Sequence, residues 1–270
     1  PAKAKTPQQW LRQKLHHHCA KPRDKGQSAR LKRRQAKTQL QHQRQKKRQG
    51  PDPNPKQRPG RYADPKCWQR QQSQIHHRLC HPQRVMHAGR AFWRGELHDR
   101  PVVLALSGIG KVAAATTATA LAERFGVARI VFTGVAGGVG DGVQVGDVVV
   151  AQDYVQHDMD ASPIFPRWEL PGYARTRLGC DVALTAMLLE AASAYAEGAG
   201  GRFDSKLITG QPRVHHGLVA SGDRFVSAAA EAQGLRAALR DAGHDVLAVE
   251  MEGAAVAQAC LDDGVPFAAV

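Results

Sequence analysis

Residues 85–270 are predicted to form a three-layer α/β/α sandwich with a mixed central sheet, and three features of the sequence predict it. Short Val-rich apolar runs alternate with segments whose apolar residues recur at helical spacing, as strands flanked by helices require. Glycine-rich stretches follow two of those runs, where a chain leaving a buried strand must turn sharply. The composition also changes abruptly at Val85, the first valine of the chain, so that the fold and the segment before it read as separate regions.

The elements follow in order. Residues 91–97 read as a strand, 98–100 as a turn and 101–106 as a second, continuously apolar strand, which makes an antiparallel hairpin. Ser107-Gly108-Ile109-Gly110-Lys111 is a glycine-rich exit, followed by an Ala/Thr-rich helix over 112–125 that Gly126 closes. A short buried strand over 129–133 leads into the glycine-rich 134–140, and 146–152 is another strand. Val182, Leu184, Met187, Leu188, Ala191, Ala194 and Tyr195 have helical spacing and predict a helix over 181–197. The strand 214–221, the helix 228–241, the short strand 246–249, the small-residue helix 252–261 and a strand opening at Val265 complete the domain.

Residues 1–84 cannot build a core. Residues 1–83 hold 16 Gln and 7 His but only six residues drawn from Leu, Ile, Val, Met and Phe. They also hold 22 Lys and Arg against 3 Asp and Glu (net +19), leaving 16 against 21 (net −5) for 84–270. Low hydrophobicity with high charge predicts disorder. The same composition is what translation of a wrong reading frame yields. The Lys/Arg runs admit nonspecific nucleic-acid binding through phosphate neutralisation, but only Trp10, Tyr62 and Trp68 supply aromatic residues and no recognition motif accompanies the charge. The His and Cys residues around His16–Cys19 and from Cys67 to His81 match no zinc-binding spacing, so no metal is expected. No run approaches the roughly 18 apolar residues of a membrane span. Five scattered cysteines form no disulfide framework, and a reducing, cytoplasmic setting is expected.

Three places are candidates for chemistry. The turns at 107–110 and 134–140 both follow strands and are expected along one sheet edge, where glycine lets backbone N–H groups approach a ligand. Neither matches a phosphate-loop or dinucleotide fingerprint. Glu250-Met251-Glu252 stands at a strand-to-helix junction. Acidic residues there can simply complement the helix dipole, which accounts for one of the two. Two carboxylates flanking a thioether also suit a nucleoside, because a carboxylate can accept both vicinal ribose hydroxyls and Met can pack on the sugar. Phe225, after the strand ending at Ser221, is either a base-stacking or a core aromatic.

Taken together, SGIGKV (107–112), TGVAGG (133–138), VGDVVV (145–150), HDMD (157–160), LPG (170–172), GLVASGDRFV (217–226), VEMEGAAVAQAC (249–260) and VPFAAV (265–270) resemble the 5′-methylthioadenosine/S-adenosylhomocysteine nucleosidase branch of the nucleoside phosphorylase superfamily, in order, over 85–270. The resemblance implies hydrolysis of the N-glycosidic bond of an adenine nucleoside to adenine and the thioribose, with no cofactor. It implies that Ile109, Ala136 and Gly137 line the pocket, that Phe225 stacks on adenine and that the backbone of Val226 bonds the base edge. Met251 would lie against the ribose and Glu252 would hold its 2′ and 3′ hydroxyls, with Glu250 beside them in the substrate site. The family is a homodimer in which a loop, here 164–171 with Phe165 and Pro171, covers the partner's 5′-alkylthio group.

The chain also departs from the family pattern. The water-activating Glu of the family follows its first strand, a position that falls here in residues 1–83, which contain no Glu; its general-acid Asp follows the strand opening at Val265, beyond Val270. Val135 replaces a small polar residue of the loop. On this reading the domain is incomplete at both ends and the chain by itself is an inactive or impaired fragment. Two alternatives are purine nucleoside phosphorolysis and nucleic-acid binding through the basic segment. Phosphorolysis needs cations for phosphate; related phosphorylases place an Arg three residues before the loop's Ser, and here those positions are the apolar Phe132 and Val135.

Overall fold

The computed structural model describes residues 75–198 and 211–270. The disorder and nucleic-acid binding expected of the basic segment concern residues almost all of which lie outside these. Strands β1 (Cys80–His87), β2 (Arg90–Leu97) and β3 (Arg100–Ala105) pair in that order as an antiparallel meander. Both connections are two-residue turns with positive φ at each position, Ala88–Gly89 and His98–Asp99, the hairpin geometry that matches the twist of the strands. The sequence reading starts the fold at Val85, yet β1 begins at Cys80. This strand is largely exposed and its pairing shifts register between Cys80 and Gln83, around Pro82, so no apolar alternation marks it.

Helix α1 (Lys111–Thr119) runs on into one wide, π-helical turn (Ala120–Arg124), where the reading expects an unbroken α-helix. The N–H of Phe125 reaches Ala120 O at 3.2 Å, and the Phe125 ring stacks on the buried Phe92 of β2 with centroids 4.5 Å apart. Gly126 closes the helix with φ +62, as expected. Arg90 of β2 also donates to Ser107 O at 2.9 Å, to Ala113 O and to Thr117 Oγ1, tying the meander to the start of α1.

The remaining elements are β4 (Ile130–Phe132), β5 (Gly137–Gly138), β6 (Val148–Gln156), β7 (Arg177–Gly179), α2 (Val182–Gly198), β8 (Val214–Ser221), α3 (Ala229–Asp241), β9 (Val246–Glu250), α4 (Gly253–Asp263) and β10 (Phe267–Ala269). β10 pairs parallel with β4, and the largest sheet has the order β5-β9-β8-β6-β7. Within it β6, β8 and β9 are parallel, and β5 and β7 are antiparallel edges, so the sheet is mixed as predicted. The strand read over 146–152 extends to Gln156, because a register shift between Ala151 and Asp153 breaks its alternation while Tyr154, Val155 and Gln156 remain buried. β5 lies inside the stretch read as a glycine-rich turn, and β7 carries no sequence signal at three residues.

Val150, Val155, Ala220, Val246 and Ala248 fill the centre of this sheet with 0–1% exposure. Burying each valine contributes about 1.5–3 kcal/mol. The buried face of α4 is made of small residues, Ala254, Ala255, Ala257 and Ala259, and it packs against Ala114 and Ala118 of α1. Gly253 opens α4 against the buried Tyr154, where a Cβ would stand 2.4 Å from the ring. Among the described residues no helix is long and apolar enough to cross a membrane.

Candidate active site

The register of the parallel strands builds the site. Gln156 pairs with Ser221 and Ser221 with Glu250, so the last residues of β6, β8 and β9 lie side by side. The segments that follow, His157-Asp158, Gly222-Asp223 and Met251-Glu252, are therefore delivered to one crevice at the carboxyl ends of the strands, the usual ligand position in such sheets. The N–H of His157 donates to Ser221 O at 3.0 Å and that of Gly222 to Glu250 O at 3.1 Å, which continues the alignment past the strand ends.

The two carboxylates of the Glu250-Met251-Glu252 run have different surroundings. Glu250 accepts the N–H of Glu252 at 2.8 Å and that of Gly253 at 3.0 and 2.8 Å, capping α4 from below. Burial pushes its carboxyl above the usual range, against hydrogen bonds from Ser221 and these N–H groups. The helix-dipole role thus falls on Glu250. Glu252 precedes α4, and its Oε1 accepts the N–H of Gly110 at 2.8 Å from the glycine-rich exit of β3. Burial raises its carboxyl too, opposed by the Gly110 and Met251 N–H groups and aided by the negative Asp223. Gly110 takes φ +91, and a Cβ there would stand 2.9 Å from Asp223 Oδ1, so only glycine brings this N–H to Glu252.

A second group of side chains joins the same loops. Lys111 Nζ makes an ion pair with Asp158 Oδ1 at 2.7 Å and donates to Gln156 Oε1 at 3.1 Å. Asp158 Oδ2 accepts the N–H of Asp223 at 2.8 Å, and Asp223 Oδ1 accepts the N–H of Lys111 at 2.7 Å. Burial works to raise the Asp158 carboxyl, but the Lys111 and Asp223 hydrogen bonds outweigh it and hold it below the ordinary carboxylate range. Lys111, Asp158 and Asp223 enter the sequence reading within the motifs SGIGKV, HDMD and GLVASGDRFV but are not joined there. The available signal is that Lys111, Asp158 and Asp223 stand two to six residues past a strand end.

The other expected site residues are placed as follows. Gly137 pairs with Val249 on the edge of β9, one residue before Glu250, and Ala136 precedes it, exposed. Ile109 is exposed beside Gly110, Phe225 is exposed two residues beyond Asp223, and Val226 is half-buried. Met251 is half-buried between the two carboxylates. In the expected lid Phe165 is half-buried and Pro171 exposed, while Trp168 and Leu170 are buried and the Trp168 indole N–H donates to His157 O at 3.1 Å. A cavity of about 360 Å³ opens next to the crevice between α1 and α4, lined in part by Lys111, Val112, Gln156, Ala255 and Gln258. None of the expected nucleoside-site residues lines it.

A family model described as the phosphorylase superfamily matches residues 72–270. The 5′-methylthioadenosine/S-adenosylhomocysteine nucleosidase of Oceanobacillus iheyensis is 36% identical over 181 residues, 67% of this chain and 70% of that protein. Among solved structures, the S-adenosylhomocysteine nucleosidase of Streptococcus pyogenes in complex with 5-methylthiotubericidin superposes with a TM-score of 0.62 at 31% identity, covering 73% of this chain and 75% of that one. The nucleosidase of Colwellia psychrerythraea in complex with adenine gives a TM-score of 0.61 at 32% identity over 73% and 74% of the two chains.

Proposed function

The chain belongs to the phosphorylase superfamily and, within it, to the 5′-methylthioadenosine/S-adenosylhomocysteine nucleosidases, and on that premise we propose that the crevice at the ends of β6, β8 and β9 holds an adenine nucleoside for hydrolysis of its N-glycosidic bond. The observation that carries the reading is the placement of Glu252. Its carboxylate stands at the mouth of the crevice, anchored through one oxygen by Gly110, with acceptor capacity left for two ribose hydroxyls. Glu250, bound to the N–H groups of α4, fixes the helix start that carries it.

In this reading Met251 packs on the ribose, Phe225 on the adenine face, and the backbone of Val226 bonds the base edge. Ile109, Ala136 and Gly137 line the remainder. The anionic Glu252 accelerates the reaction only because its bonds to the sugar hydroxyls strengthen as positive charge develops on the ring. The segment 164–171, with Phe165 and Pro171, covers the site of a second copy in a homodimer.

Bond cleavage further requires a base for the attacking water and an acid for the departing adenine. Among the other carboxylates described near Glu252, Glu250 accepts the N–H groups of Glu252 and Gly253, Asp158 accepts Lys111 Nζ and Asp223 N–H, and Asp223 accepts Lys111 N–H through one oxygen. To these described residues we assign binding and transition-state stabilisation rather than proton transfer. Each proton-transfer role is worth about 10²–10⁴-fold and losses within one unit do not multiply, so a chain that performs neither role would fall at least about 10³-fold behind a relative that performs both. The test is adenine release from 5′-methylthioadenosine by this polypeptide beside the Oceanobacillus relative, each with and without phosphate. Equal rates for the two proteins would mean that this chain performs both proton-transfer roles, with Glu250 and Asp223 the first carboxylates to test, and would overturn the assignment of roles. A requirement for phosphate would replace hydrolysis by phosphorolysis, against the apolar Phe132 and Val135.

A further inference from the structure

We propose that Lys111 and Asp158 are positioning residues for Glu252, forming a clasp that sets the preference for a nucleoside over the free base. This rests on the ribose-holding role proposed for Glu252. Three loops that are far apart in sequence meet in a closed circuit: Lys111 Nζ to Asp158 Oδ1 at 2.7 Å, Asp223 N–H to Asp158 Oδ2 at 2.8 Å, and Lys111 N–H to Asp223 Oδ1 at 2.7 Å. The circuit determines where the backbone of Lys111 lies, and the neighbouring N–H, that of Gly110, is the one that grips Glu252 Oε1.

The circuit is short and each member is used twice. Asp158 spends one oxygen on the loop after β3 and the other on the loop after β8, so a single carboxylate sets the distance between them. Asp223 then returns to the first residue of α1, where the helix dipole favours an anion. A loop carrying Gly108 at φ +80 and Gly110 at φ +91 has no stiffness of its own to hold this geometry. Without the clasp the Gly110 N–H drifts, and the Glu252 carboxylate loses the anchor that aims it at the sugar. Phe225 and Val226, assigned to the adenine side, follow Asp223 in the loop that Asp158 Oδ2 holds, a contact that Lys111→Met leaves in place.

The experiment measures affinity for 5-methylthiotubericidin and for adenine in the full-length chain carrying Asp158→Asn, Lys111→Met, Lys111→Arg, Glu252→Ala, and Asp158→Asn with Glu252→Ala. Asp158→Asn and Lys111→Met are each expected to weaken the nucleoside analogue about fivefold relative to adenine, with Lys111→Arg recovering most of the loss. In the Glu252→Ala background Asp158→Asn should leave the ratio unchanged, because a clasp that acts through Glu252 has nothing left to aim. Additive losses in that double variant, or equal losses for both ligands in Asp158→Asn and Lys111→Met while Glu252→Ala remains nucleoside-selective, would overturn the clasp and leave the Glu252 assignment standing. Equal losses for both ligands in Glu252→Ala itself would overturn the ribose role instead.

Discussion

Glu252→Ala isolates the step on which the functional reading stands. In the free protein the substitution removes the acceptor of the Gly110 N–H, 2.8 Å away. That loss is present with and without ligand and so largely cancels from an affinity. What remains is the loss of hydrogen bonds between an anionic oxygen and the ribose hydroxyls, each worth about 1.5–3 kcal/mol. One such bond converts to about 10- to 150-fold in dissociation constant. Free adenine has no hydroxyl to lose, so its affinity should change less than about twofold. Calorimetric titration of the methylthio analogue and of adenine into both proteins measures the difference directly. A parallel loss for the two ligands, or no loss for either, would refute the ribose assignment. Burial raises the carboxyl of Glu252, so lowering the pH through its folded value should protonate it and weaken the nucleoside selectively, and this pH response should vanish in the Ala variant.

Two further outcomes concern stability. Gly253→Ala places a Cβ 2.4 Å from the Tyr154 ring and should destabilise by about 1–3 kcal/mol in denaturant melts; in a Tyr154→Ala background the same change should cost little, and an unchanged cost would show that the ring is not the obstacle. His157 is buried with Nε2 unpartnered, and burial lowers its value below 6.5. The unfolded chain therefore binds the proton first as pH falls through 6.5, and stability is lost from there downward. The drop in denaturant midpoint between pH 7.5 and 5.5 should be smaller in His157→Gln than in the parent, and an equal drop would remove His157 as its source.

The sequence by itself determined the sheet's central strands and the identity of the residues at their ends. Val148–Val150, Leu218–Ala220 and Val246–Val249 are apolar runs whose burial follows from composition, and Glu250-Met251-Glu252 is legible as a strand-to-helix junction carrying two carboxylates. The helix-start reading of one carboxylate was also available, but not which one. That distinction depends on direction: Glu250 turns under α4 to its N–H groups, while Glu252 turns across to Gly110, 142 residues away in sequence. β1 escaped notice because an exposed edge strand needs no apolar pattern, and β5 because two glycines carry no side chains to show one. The Lys111, Asp158 and Asp223 circuit was beyond reach for a related reason. Each residue alone is an ordinary polar group in a loop, and only the parallel register that sets Gln156 beside Ser221 and Ser221 beside Glu250 brings the loops within hydrogen-bond distance. Local pattern decides which segments become strands, whereas register is settled by packing of the whole sheet, and the site is a product of register.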